Sequence, residues 1–95
     1  MDKIKISADG LGASDIAQAL LGGKDVNWCA CVSAVAAELE ENLGKSSRRI
    51  TDEFMGSDSW CGGISYDFLF ESGAILKAWH IGDWHGHMLS LDLPG

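Results

Sequence analysis

The sequence predicts an α+β domain: a three-stranded antiparallel meander over about residues 63–93, with residues 3–8 available as a fourth, edge strand, and two or three helices packed on one face. Three observations predict it. Apolar residues recur at helical spacing through the first half of the chain. From Cys61 onward the period switches to two. Two glycine-containing turns, at Ser72-Gly73 and over Gly82–Gly86, divide the second half into strands of similar length. With 95 residues the chain forms one domain, residues 1–95, around one core.

Residues 3–8, KIKISA, alternate: Ile4, Ile6 and Ala8 on one side, Lys3, Lys5 and Ser7 on the other. That is a half-buried strand, and its lysines suit an edge. Asp9-Gly10 ends it. Ser14 is placed to cap a short helix to about Leu21, with Asp15 in the favourable first turn and Ile16, Ala19 and Leu20 as the apolar stripe. Gly22-Gly23 stops it. The main helix is expected to open at Asp25 or Asn27, because Trp28, Val32, Val35, Leu39 and Leu43 repeat on one helical face. Gly44 is its natural stop. A further short helix is expected from about Ser47 to Met55, presenting Ile50 and Phe54.

The meander has a definite expected register. Ile64, Tyr66, Phe68 and Phe70 share one side of the first strand. A two-residue loop at Ser72-Gly73 sets Phe70 against Ile75, Phe68 against Lys77, Tyr66 against Trp79 and Ile64 against Ile81. A loop over Gly82–Gly86 then sets Ile81 against His87, Trp79 against Leu89, Lys77 against Leu91 and Ile75 against Leu93. Both turns put apolar residues on the helix side. Lys77 is the misfit there, either reaching the sheet border or pairing with a helix carboxylate.

Composition narrows function. Apolar residues are 46% and charged residues 22% of the chain, ordinary for a folded domain. No run reaches the ~20 apolar residues of a membrane helix, and the N-terminus has no apolar stretch of signal-peptide length, so a cytoplasmic protein without membrane contact is expected. The formal charge of −7 disfavours direct nucleic-acid binding and suits a partner with a basic surface.

The run AWHIGDWHGHM, residues 78–88, holds all three histidines. In the expected register they scatter: His80 on the outer face, His85 in the loop, His87 on the core side. The three cysteines do not gather them. Cys29 and Cys31 on a helix would point about 200° apart; Cys31 reads as a small core residue and Cys61 as the accessible thiol. No metal ligand set, cofactor or catalytic residue is therefore assigned. A small metal- or thiol-dependent protein using His80, His85 and Cys61 is the competing reading.

Three surfaces are candidates for partner binding. Asp83, Trp84 and His85 form the hairpin tip, where an exposed tryptophan is a natural anchor. The outer sheet face would carry Asp67, Leu69, Leu76, Ala78, His80 and Met88, an apolar centre with an acidic rim. Glu38, Glu40 and Glu41 make an acidic helix surface able to imitate phosphate. In size, acidity and lack of cofactor motifs the chain is similar in kind to small standalone inhibitors, such as phage-encoded blockers of bacterial defence (anti-CRISPR proteins included) and toxin-immunity proteins. That likeness, one of composition, implies a non-enzymatic protein that binds and inhibits a larger partner by steric or charge-mimic occlusion. A homodimer or homo-oligomeric subunit joined through the outer sheet face is the third reading.

Overall fold

The computed structural model describes residues 3–54, 63–80 and 87–94, and of residues 52–54, 63, 64 and 80 the backbone. The elements are β1 (Lys5–Ser7), α1 (Ala13–Leu21), β2 (Asp25–Cys29), α2 (Val32–Leu43), β3 (Ser46–Phe54), β4 (Gly63–Phe70), β5 (Ile75–His80) and β6 (His87–Asp92). They build one six-stranded sheet in the order β1-β2-β6-β5-β4-β3. Only β1 and β2 pair in parallel; every other neighbouring pair is antiparallel. Both helices cover one face, and their buried side chains join those of the sheet in a single core. The class is α+β, but the expected meander of three or four strands with two or three helices is replaced, among the described residues, by a mixed six-stranded sheet with two helices.

The extra strands come from segments expected to be helical. Residues 25–29 form β2, not the start of the main helix. Val26 is completely buried, paired to Ile6 in β1 on one side and to Leu89 in β6 on the other. The stripe of the main helix begins at Val32 and runs through Val35, Ala36 and Leu39; Trp28 extends it in sequence only and lies 40% exposed. Residues 46–54 form β3 instead of a short helix. Its alternate residues Ser46, Arg48 and Ile50 stand against Phe70, Phe68 and Tyr66 of β4. Ile50, expected on the apolar side of that helix, is 55% exposed at this sheet edge.

The connections follow from where the strands lie. A parallel pair needs a crossover, and α1 supplies it between β1 and β2. Gly12, in extended conformation, occupies its N-cap position, and Ser14 falls inside the first turn. Ile16, Ala17 and Leu20 are its buried residues. α2 then carries the chain from β2 over the sheet to the far edge, where β3 starts. Its end is closely tied: Glu40 Oε2 accepts from Ser46 N at 2.8 Å and from Ser46 Oγ at 3.3 Å. The β4–β5 turn donates back, Ser72 N to Leu43 O at 3.1 Å and Glu71 N to Lys45 O at 3.0 Å.

The expected register is off by one residue at both hairpins, and the loop explains the first shift. Phe70 N donates to Ala74 O at 3.0 Å and Gly73 N to Phe70 O at 2.9 Å, with Gly73 at φ 95°. The loop is thus three residues, Glu71-Ser72-Gly73, a form that places a glycine in the left-handed region. The pairs become Leu69–Ile75, Phe68–Leu76, Asp67–Lys77 and Tyr66–Ala78. On the other side Lys77 meets Ser90, Ala78 meets Leu89 and Trp79 meets Met88. Because side chains alternate with period two, each shift turns a neighbour over, and two shifts cancel. So β4 and β6 present the expected faces, and β5 alone is inverted: Leu76 and Ala78 face the helices, while Ile75, Lys77 and Trp79 face out. The inversion removes the misfit. Lys77 leaves the core, and small Ala74 and Ala78, both buried, fit under the helices.

Lys77 Nζ instead lies 3.0 Å from Asp92 Oδ2, with both side chains 50% exposed. The hydrogen bond to Asp92 raises the Lys77 pKa, and the one from Lys77 lowers that of Asp92. The signs set the pH window. A depressed carboxyl contributes stability above its ordinary value and loses it as pH falls through the folded-state value. A raised ammonium contributes below its ordinary value and loses it as pH rises through its own. Lys77→Met is expected to change stability by no more than about 1 kcal/mol near neutrality, as for other exposed pairs. In chemical denaturation at stepped pH, the pair's contribution should vanish at both acid and strongly alkaline ends. A loss of several kcal/mol would place Lys77 in a buried pair.

Candidate functional site

With α1 and α2 on one side, the other side of the sheet has no helix over it among the described residues. Its centre is ordered by the corrected register. Leu69 and Ile75 stand opposite each other at one end, and Trp79 and Met88 at the other; all four are half-buried. Between them runs a charged row. Arg49 Nη2 donates to Asp67 Oδ2 at 3.0 Å, Asp67 stands opposite Lys77, and Lys77 reaches Asp92. Lys3 closes the row: its Nζ donates to Leu91 O at 2.8 Å and lies 3.7 Å from Asp92 Oδ1 and 3.9 Å from Asp25 Oδ1.

Two acceptors on β2 are left over. Asp25 Oδ1 and Asn27 Oδ1 are buried oxygens with no hydrogen-bond donor among the described residues; the 3.9 Å approach of Lys3 to Asp25 is an ion pair at longer range. Buried acceptors without donors are uncommon in folded proteins.

The structure redistributes the sequence candidates. Leu69 and Met88 lie on the open face as expected, and Asp67 lies there too, held by Arg49. Leu76 and Ala78 do not; they are buried against the helices. Ile75 and Trp79 take their places, and the sequence reading missed both because it put them in the core. Asp83, Trp84 and His85 lie outside the described residues, as does Cys61. The acidic helix surface is divided. Glu40 is committed to Ser46, Glu38 is half-buried, and Glu41 is exposed.

His80 changes sides with β5. The backbone register sets it opposite His87, and His87 is in turn opposite Cys29. The backbone register thus pairs two positions that the expected register kept apart. The His87 ring meets Tyr66 edge-on at 5.4 Å, and the Arg48 guanidinium lies 5.6 Å from the Tyr66 ring centre. Burial raises the Tyr66 hydroxyl pKa. Cys29 and Cys31 do not diverge, as they would on a helix: their sulfurs are 3.8 Å apart. Cys29 is the core residue and Cys31 the exposed one, the reverse of the expected role for Cys31. Among the described residues, no three histidine, cysteine, aspartate or glutamate side chains group so as to hold a metal ion. None of the described helices is long and apolar enough to cross a membrane.

Compared with family models, with curated proteins and with solved structures, the chain matches none of them.

Proposed function

We propose that the protein is a non-enzymatic binding protein that docks its open sheet face on a larger protein partner with a basic surface and inhibits it by steric occlusion. The observation that carries this reading is the sheet face opposite α1 and α2, which no described helix covers: Leu69, Ile75, Trp79 and Met88 around a charged row. Tryptophan and methionine are favoured in interface centres, where a polar rim excludes water. The formal charge of −7 supports a basic partner, because it steers a cationic surface toward the chain. Inhibitors of the phage anti-defence or toxin-immunity type act in this way, by covering a surface that another macromolecule needs.

The test is affinity capture from the native host, with Trp79→Ala plus Met88→Ala on one arm and Glu38→Gln plus Glu41→Gln on the other. Loss of the anchor pair is expected to weaken capture at least tenfold, since a central aromatic contributes about 2 kcal/mol or more. Neutralising the two helix carboxylates should reduce it only modestly and mainly at low salt. Full capture by the first variant with loss in the second would move the interface to α2. Light scattering on the purified chain distinguishes a further outcome: a mass of two chains, lost in the first variant, would make the open face an oligomer contact.

A further inference from the structure

The β2–α2 joint brings together two thiols that neither regular structure would pair. In a strand, residues two apart are about 6.6 Å apart along the chain; on a helix they diverge. Here the backbone is neither. Trp28 has φ 64°, Ala30 forms a bend, and Cys31 occupies the N-cap position of α2 at φ −111°, ψ 47°. These departures fold the chain back so that Cys29 Sγ and Cys31 Sγ stand 3.8 Å apart. Cys29 is completely buried; Cys31 is exposed. One sulfur is open to reagents and the other waits behind it.

We propose that Cys29 and Cys31 are an oxidisable dithiol that closes to an intramolecular disulfide at the expense of a low-molecular-weight disulfide of the glutathione type. The exposed Cys31 acts first. Its thiolate attacks one sulfur of the small disulfide, whose S–S bond breaks, and one small thiolate leaves and takes up a proton. Cys29 then loses its proton to solvent and attacks the Cys31 sulfur. The mixed disulfide breaks, the second small thiol leaves, and the Cys29–Cys31 bond forms. Two protein thiols are oxidised, and one small disulfide is reduced to two thiols. The sulfurs must close from 3.8 Å to about 2.05 Å, which needs side-chain rotation and a small adjustment at the bend.

The order of events follows from the surroundings. Cys31 is exposed, so a small disulfide reaches its sulfur first. Burial pushes the Cys29 thiol up to about 11, so Cys29 is a poor first nucleophile and is shielded from a bulky reagent. It reacts only with the sulfur already beside it. The joint lies on the helix side of the sheet, so this inference does not rest on the binding role of the open face.

The experiment uses the full chain carrying Cys61→Ser, which leaves only the pair, treated with glutathione disulfide and measured by intact-mass spectrometry. The expected result is a loss of about 2 Da with no lasting adduct. Adding Cys29→Ala should trap a stable adduct of about 305 Da on Cys31. Adding Cys31→Ser, an exposed and mild change, should leave the native protein unmodified, because Cys29 is shielded. A lasting adduct on the two-cysteine protein, a disulfide-linked dimer, or no reaction at all would overturn the proposal. So would modification of the Cys31→Ser variant under native conditions.

Discussion

Leu76→Ala is expected to destabilise the protein by about 3 kcal/mol, within the range for truncating a fully buried leucine. Leu76 has no exposed surface. It stands opposite Phe68 in β4 and Leu91 in β6, both buried, on the face that α1 and α2 cover. Removing its isobutyl group loses the transfer energy of the buried carbons and leaves a cavity that the flanking strands cannot collapse into, because their backbones are hydrogen-bonded on both sides. The same truncation at Ile75, half-buried on the open face, should cost much less, about 1 kcal/mol. The contrast between adjacent residues is diagnostic. In a sheet paired one residue out of step, Ile75 would be the costly position and Leu76 the cheap one. Chemical denaturation of the two variants reads the difference as a shift in midpoint at constant slope.

Gly44→Ala is expected to cost about 2 kcal/mol, a large effect for adding one methyl group. Two independent features act at this position. Gly44 closes α2 at φ 86°, ψ 179°, a region held essentially by glycine alone, which costs a residue with a Cβ roughly 1 kcal/mol or more. A Cβ there would also lie 2.9 Å from Glu71 Cβ, the start of a side chain and not its flexible end. Relief would require the β4–β5 turn to move, and that turn is tied to the end of α2 through Ser72 N to Leu43 O and Glu71 N to Lys45 O. Gly23 has a similar φ of 87° but open space around its Cβ position. Gly23→Ala thus keeps a positive φ without the collision and should cost about half as much. Thermal unfolding of the two variants separates strain from collision; equal losses would show that the approach of Glu71 contributes nothing.

The particular elements show why the fold was only partly legible. α1 and the body of α2 could be read because their buried residues follow one helical period, and β4 and β6 because theirs alternate. β2 and β3 could not. Residues 25–29 carry one buried valine whose burial depends on β1 and β6, strands distant in sequence. Trp28 happens to continue the helical stripe by one more step. In β3, Ile50 and Phe54 are four apart, a helical spacing, yet eight paired positions with β4 outweigh that local hint. β5 is ambiguous from both sides: Ile75, Trp79 and Ile81 make one plausible buried set, and Ala74, Leu76 and Ala78 another. The choice rests on loop length, and one residue in the Gly73 turn decides it.

The candidate site inherits that history. Leu69 and Met88 could be placed on the outer face because their own strands alternate cleanly. Trp79 and Ile75 were hidden by the one-residue shift, and the Cys29–Cys31 contact was hidden by reading the joint as helix. One signal in the sequence pointed the other way. A charged Lys77 in the middle of an otherwise apolar buried set is costly without a partner, and turning β5 over removes that cost while giving the lysine Asp92.

The central claim is that β5 turns Leu76 and Ala78 toward the helices and leaves Ile75, Lys77 and Trp79 on the open face. A map of cross-strand backbone proton contacts by nuclear magnetic resonance tests it most directly. The expected map shows Lys77 opposite Asp67 on one side and opposite Ser90 on the other. Contacts that place Lys77 opposite Phe68 and Leu91 would contradict it, and Ile75, Lys77 and Trp79 would then belong to the core.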